Sequence, residues 1–134
     1  MRAKRSLLLC LITLIAALPL VAHHSFAREY DSRLPVTLKG TVTMLDFTNP
    51  HSWLYIDVKD NKGMTIAWGI ELGNMIDLRN QGWSKTTVKP GVEVSIDAFR
   101  AKNGSNTANA RSVKLSDGRV LFTAGSAMSP QTKK

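Results

Sequence analysis

Cysteine is almost absent from this sequence. The one cysteine of the chain, Cys10, lies within an apolar run near the N-terminus. The rest of the sequence therefore excludes a disulfide framework, a thiolate metal site and a cysteine nucleophile. The part that folds must be held together by its core, which a chain of this length can supply.

Enzyme motifs and blocks of like charge are also missing. The sequence has no Gly-x-Ser-x-Gly elbow, no His-Glu-x-x-His pair and no phosphate-binding loop. The formal net charge is +8, but Arg2, Lys4 and Arg5 belong to the N-terminal leader, and Lys133 and Lys134 to the C-terminal end. The mild basic excess that remains argues against nucleic acid as a partner. These absences favour a binding protein over an enzyme.

The N-terminal leader has the pattern of a secretory signal. A basic start precedes an apolar run over residues 6–21, which ends at a small residue. The run is shorter than the roughly 20 residues that span a bilayer, and Pro19 interrupts it, so a retained membrane anchor is the less favoured alternative. We predict cleavage of residues 1–22, a periplasmic or secreted location, and no membrane contact after cleavage. One β domain over residues 23–124 and a disordered tail over residues 125–134 are expected to follow.

Apolar and polar residues alternate in six segments after the leader, which indicates β-strands. The predicted strands cover residues 36–44, 53–58, 64–72, 92–98, 108–115 and 120–122. In the first of them the alternation predicts one buried face, made of Val36, Leu38, Gly40, Val42 and Met44. Asn74 is the predicted N-cap of a short helix that ends near Gly82.

The order of these elements predicts a mostly β fold. Five strands with one short helix between the third and the fourth is the order of an OB-type barrel, and a short sixth strand follows. Closure of the sheet would also remove exposed strand edges. A β-sandwich is the alternative architecture. Phe26 and Tyr30, before the first strand, predict either one helical turn or two aromatic anchors for the N-terminal segment.

Two of the three histidines begin the predicted mature chain. Cleavage after Ala22 gives His23 a free α-amine, whose ordinary pKa of about 7.7–8.0 is low enough for the amine to bind a metal. The amine and imidazole of one residue chelate an ion, and His24 or His51 then completes a nitrogen-rich site suited to Cu(II) or Ni(II). Cleavage one residue earlier places His24 third from the amine, an arrangement that also binds Cu(II). A solvated, frayed terminus is the alternative.

His51 follows Asn49-Pro50 at the start of the second predicted strand. A histidine at a strand end is held by the sheet, and such a position suits a ligand. The alternative is an ordinary turn histidine bonded to backbone or water. His23, His24 and His51 are therefore the candidate metal ligands. Copper is the expected metal, and other divalent transition metals are alternatives.

Several short motifs are spread along the chain. They are His23-His24-Ser25-Phe26-Ala27, Lys39-Gly40-Thr41-Val42, Asn49-Pro50-His51, Trp68 with Glu71, Gly82-Trp83, Lys89-Pro90-Gly91 and Asp117-Gly118-Arg119. Together they resemble a family of small exported bacterial proteins of unknown function, known by an HHSF start and an NPH turn. The resemblance implies one intact domain, in which His23, His24 and His51 match positions that the family carries.

Carboxylates are weaker candidates for the site. Glu71, Asp46 and Asp57 can each act as a hard metal ligand or as a partner that orients a histidine. The strand alternation turns Glu71 away from Trp68 and Ile70. A solvated strand face is the favoured interpretation for all three carboxylates.

The sequence thus predicts an exported metal-binding protein, with copper as the expected metal, that acts as a carrier, buffer or sensor. The alternative is an OB-type module that binds a small ligand, a peptide or another exported protein without metal. In that case the histidines contribute hydrogen bonds or packing. A copper enzyme is a third hypothesis, for which the sequence indicates no substrate surface.

Overall fold

A computed structural model describes residues 25–125, which form six β-strands and two short helices. In chain order the elements are α1 (Ser25–Glu29), β1 (Tyr30–Asp46), β2 (Trp53–Lys59), β3 (Thr65–Glu71), α2 (Met75–Asn80), β4 (Glu93–Ala101), β5 (Thr107–Leu115) and β6 (Val120–Phe122). The predicted leader, His23, His24 and residues 126–134 of the predicted tail lie outside the described residues. Neither helix within residues 25–125 is long and apolar enough to cross a bilayer.

β1 is the strand to which both halves of the sheet are attached. Its first part pairs with β4 and its last part with β2, both antiparallel. β3 pairs with β2 on one side and, in parallel, with β5 on the other, while β4 pairs with β5. These pairings close a ring in the order β1-β2-β3-β5-β4, and β6 pairs with β5 outside that ring.

The ring confirms the predicted mostly β class. All six strands of the described part of the chain belong to one sheet. α2 lies between β3 and β4 in the sequence, which is the order of an OB-type barrel. Hydrogen bonding around a closed ring is the arrangement of a small barrel, whereas a sandwich keeps its strands in two packed sheets.

Alternate residues of the strands fill the interior of the ring. Leu54, Ile70 and Ile96 have no exposed surface, and Leu78 of α2 joins the same apolar cluster. Burial of such side chains contributes about 1.5–3 kcal/mol each relative to exposure. Trp83, which follows α2, is buried as well, and its Nε1 donates a hydrogen bond to a backbone carbonyl of β6 at 2.8 Å. The core therefore fixes α2 and the segment after it against the barrel.

α2 begins at the predicted cap. The side-chain oxygen of Asn74 accepts hydrogen bonds from the backbone amides of Ile76 and Asp77, at 3.0 and 2.9 Å. These are amides of the first turn that have no partner within the helix itself. Gly82 follows the helix with a φ of 89°, a left-handed conformation that glycine adopts without strain.

The alternation misplaces two methionines. Met44 is 50% exposed, although the period-two pattern assigns it to the buried face. A bulge between Val42 and Met44 shifts the register of β1 against β2 and turns Met44 outward. Met64 lies before β3 and is 63% exposed. β1 also begins at Tyr30, before the predicted start at residue 36, because Tyr30 already pairs with Ala101 of β4.

Gly40 lies where β1 passes from β4 to β2, and it pairs with both strands. A Cβ atom there would lie 2.5 Å from the backbone oxygen of Asp57, which cannot move without displacing β2. We expect Gly40→Ala to lower the free energy of unfolding by about 1–3 kcal/mol, measured by urea denaturation.

Gly69→Ala is the matched control, because it changes the same residue type within a strand. A Cβ atom at Gly69 would meet its nearest neighbour at 3.6 Å, an ordinary van der Waals contact. Equal stability of the Gly40→Ala and Gly69→Ala variants would contradict the crowding assigned to Gly40.

Candidate functional site

The loop before β2 holds His51 from both sides. The peptide bond between Asn49 and Pro50 is cis, and the side-chain oxygen of Asn49 accepts a hydrogen bond from the amide of Met75 at 3.0 Å. After His51, the hydroxyl of Ser52 accepts from the Thr48 amide at 3.1 Å and donates to the Thr48 carbonyl at 2.9 Å. His51 therefore extends from a segment whose backbone is tied to α2 and to itself.

His51 and Glu71 are in direct contact. Glu71 is the last residue of β3 and pairs with Trp53, two positions after His51. The Nδ1 atom of His51 contacts Oε1 of Glu71. The side chain of His51 is 39% exposed and that of Glu71 only 5%. The arrangement thus joins a half-exposed imidazole to a buried carboxylate and leaves Nε2 of the ring for another partner.

The expectation of a solvated Glu71 is wrong. Glu71 does turn away from Ile70, as the alternation predicts, but the residue is 4% exposed. Tyr30, which is 3% exposed, lies beside its carboxylate. Within residues 25–125, the second carboxylate oxygen, Oε2, is buried and has no hydrogen-bond partner of normal geometry. The outer face of β3 at this end is covered by another part of the chain.

Tyr30 connects the covered carboxylate to α1. The rings of Phe26 and Tyr30 stack with their centroids 5.7 Å apart, and Phe26 also meets Phe99 edge-on at 5.8 Å. Lys102 donates to the backbone carbonyls of Ala27 and Glu29, at 2.5 and 2.9 Å. Of the two predicted alternatives for Phe26 and Tyr30, the anchors are found, since their rings pack together; Phe26 lies in the one-turn helix α1 and Tyr30 begins β1.

The structure brings together one of the predicted ligands and one carboxylate. His51 meets Glu71, whereas His23 and His24 precede the described residues. Residues 25–125 contain no group of three or more His, Cys, Asp or Glu side chains placed to hold a metal. Sequence reasoning missed Tyr30 as part of the site, and the spacing of Phe26 and Tyr30 was the available signal for it.

A groove adjoins this site along the outer face of β2. Trp53 and Tyr55 follow His51 at period two, and their rings lie 6.4 Å apart with 22° between their planes. With Met44 and Gly69, these rings line a groove of about 650 Å³. The groove and the His51–Glu71 contact therefore share one face of the barrel.

A family model for a family of unknown function, DUF6152, matches residues 11–110. The chain belongs to the DUF6152 family. The matched region includes Tyr30, His51 and Glu71, together with the predicted start of the mature chain. This match confirms the resemblance to an uncharacterised family, and it assigns no activity to the site. No curated protein and no solved structure matches the chain significantly.

The Tyr30 phenol gives the site a measurable signature. Burial raises its pKa well above the ordinary value, and the neighbouring carboxylates of Glu71 and Glu29 raise it further. In the unfolded chain the phenol ionises near pH 10, about its ordinary pKa. Above that pH the folded state therefore binds one more proton than the unfolded state does, so the free energy of unfolding must fall as the pH rises.

We expect the free energy of unfolding to decrease above about pH 10 by up to roughly 1.4 kcal/mol per pH unit from this phenol. Tyr30→Phe should remove that contribution, whereas Tyr55→Phe should keep it, as measured by urea denaturation at increasing pH. The same alkaline loss in the wild type and in Tyr30→Phe would show that the phenol is not protected.

Proposed function

We propose that this chain is an exported metal-binding protein, with Cu(II) as the preferred ion, that acts as a carrier, buffer or sensor in the periplasm or outside the cell. The observation that supports it is the convergence of two chain segments. The loop before β2 presents the Nε2 atom of His51. α1, which directly follows His24 in the sequence, is anchored through Tyr30 beside Glu71, the partner of His51.

Chain order links the predicted N-terminal ligands to this site. His24 directly precedes α1 in the sequence and is two residues before Phe26, whose ring contacts Tyr30. Tyr30 in turn lies beside Glu71, which contacts His51. The first described residues after His24 are therefore connected to the His51–Glu71 pair through Tyr30.

The donor set of this proposal is rich in nitrogen. Cleavage after Ala22 makes His23 the first residue, with its amine and its imidazole available for one ion. Nε2 of His51 and the ring of His24 are the further ligands. Nitrogen ligands in a planar or T-shaped arrangement favour Cu(II) and Ni(II) over ions that prefer oxygen. This chemistry makes copper the first metal to test.

Titration calorimetry of processed protein tests the proposal. Protein that begins at His23 should bind Cu(II) more tightly than about 1 μM. A protein that begins at Pro19 keeps all three histidines but moves the free amine away from them, and it should bind at least tenfold more weakly, about 1.4 kcal/mol. His51→Ala should weaken binding to a similar or greater extent.

Asn61→Ala, in the exposed turn between β2 and β3, is the control for this titration and should bind as the wild type does. Absence of Cu(II) binding at micromolar concentration would refute the proposal. Equal affinity in the His51→Ala and Asn61→Ala variants would refute the assignment of His51.

The groove favours a second candidate function, a module that binds a small ligand, a peptide or another exported protein without metal. Its specific observation is the pair of neighbouring rings, Trp53 and Tyr55, on the outer face of β2 beside an open volume of about 650 Å³. Aromatic side chains contribute much of the contact energy in such sites. In this alternative Nε2 of His51 accepts a hydrogen bond from the bound molecule.

Native mass spectrometry separates the two functions. The second candidate predicts that protein purified from its own host in the presence of a chelator retains an organic molecule. Trp53→Ala should lose that molecule, whereas Trp53→Phe, which preserves an aromatic face, should keep it. Retention of a metal ion in place of an organic molecule, when the chelator is omitted, would favour the copper proposal.

A further inference from the structure

The carboxylate of Glu71 is buried at a position where its desolvation is unfavourable. It lies at the closed seam of the barrel, where β3 pairs with both β2 and β5, and it is 4% exposed. An ionised carboxylate loses much of its hydration at such a site, and this cost is recovered only through charge-assisted contacts. A backbone carbonyl or an amide side chain would hold an imidazole in place at lower cost. The carboxylate at this position therefore calls for a reason beyond packing.

The contact with His51 determines which ring nitrogen is open. Nδ1 contacts Oε1 of Glu71, and an ionised carboxylate only accepts hydrogen bonds, so a neutral imidazole at this position must carry its proton on Nδ1. Nε2 then has a free lone pair, and the ring is 39% exposed. The geometry fixes both the direction of the ring and the atom that can accept a ligand.

The negative charge of Glu71 has no cationic side chain to balance it in the described part of the chain. Within residues 25–125 the carboxylate contacts the imidazole of His51, and the neighbouring Tyr30 phenol is hydrogen-bonded to it. Tyr30 beside it is neutral, because its pKa is raised. When the His51 ring is neutral, it separates the Glu71 carboxylate from the solvent, and this arrangement favours a positively charged ligand at Nε2 over an anion.

We propose that Glu71 is a positioning residue for His51, which fixes the Nδ1-protonated tautomer and supplies the charge that makes Nε2 a cation ligand. The tautomer is a property of the metal-free protein and stands independently of any metal. The preference for a cation rests on the proposed copper function. Carboxylates that orient a ligating histidine through its other nitrogen typically contribute tenfold to a hundredfold to metal affinity.

Nitrogen-15 NMR of the processed, metal-free protein tests the tautomer. At a pH well above about 6.5, the ordinary pKa of histidine, His51 should show a protonated Nδ1 and a bare Nε2. Glu71→Ala should lose this preference, and Glu71→Gln should retain it because the amide oxygen can still accept from Nδ1. A protonated Nε2 in the wild type would overturn the proposal, and it requires no variant to be observed.

Cu(II) titration of the same proteins tests the charge. We expect Glu71→Ala to weaken binding by about tenfold to a hundredfold, and Glu71→Gln to weaken it less, since that variant keeps the tautomer but removes the charge. Asp46→Asn is the matched control, because Asp46 is an exposed carboxylate that pairs with Trp53 on the other side of β2. It should change neither the tautomer nor the affinity.

The NMR measurement and the Cu(II) titration can contradict the positioning role of Glu71 and the copper function separately. Wild-type protein that shows the Nδ1-protonated ring but binds no Cu(II) would refute the proposed copper function and leave the positioning role of Glu71 supported. Wild-type protein that binds Cu(II) with an affinity unchanged in Glu71→Ala would refute the role of the carboxylate while the copper function stands. Thermal denaturation of each variant shows whether a loss of affinity reflects unfolding.

Discussion

Three residue pairs between β3 and β5 close the barrel, and the last of them contains the buried carboxylate. The parallel pairing joins Gly69 to Thr107, Ile70 to Ala108 and Glu71 to Asn109. Parallel strands require a long connection, and here that connection contains α2 and β4. Without this closure β3 would be an edge strand at the position of Glu71. Barrel closure therefore fixes the place of the site carboxylate, and Tyr30 covers it there.

Short local interactions bring the other parts of the site to this seam. Asn49 ties the loop of His51 to the start of α2, and Ser52 ties the same loop to itself and to the segment after β3. The stacked rings of Phe26 and Tyr30 hold α1 beside Glu71. Each contact follows a familiar rule of side-chain capping or aromatic packing. Their convergence on one carboxylate comes from the register of the strands, which no local rule specifies.

Features set by local periodicity could be read from the sequence. The strands, their order around a short helix and the cap at Asn74 all follow from alternation and from capping chemistry. Met44 shows the limit, because a single bulge reverses the face that alternation assigns to it. Glu71 shows a second limit. Its face was predictable, but its burial depends on Tyr30, which is distant in sequence and reaches it only through the folded chain.

β5 divides its free side between two partners. Residues 107–109 pair with β3, and residues 112–114 pair with β6. A strand of three residues thus occupies the stretch of β5 that β3 does not reach. Unpaired strand edges recruit strands from other molecules, which begins sheet growth between chains. Pairing with β6 consequently leaves this stretch of β5 unavailable to a strand of another molecule, and the short length of β6 limits the new edge that it exposes.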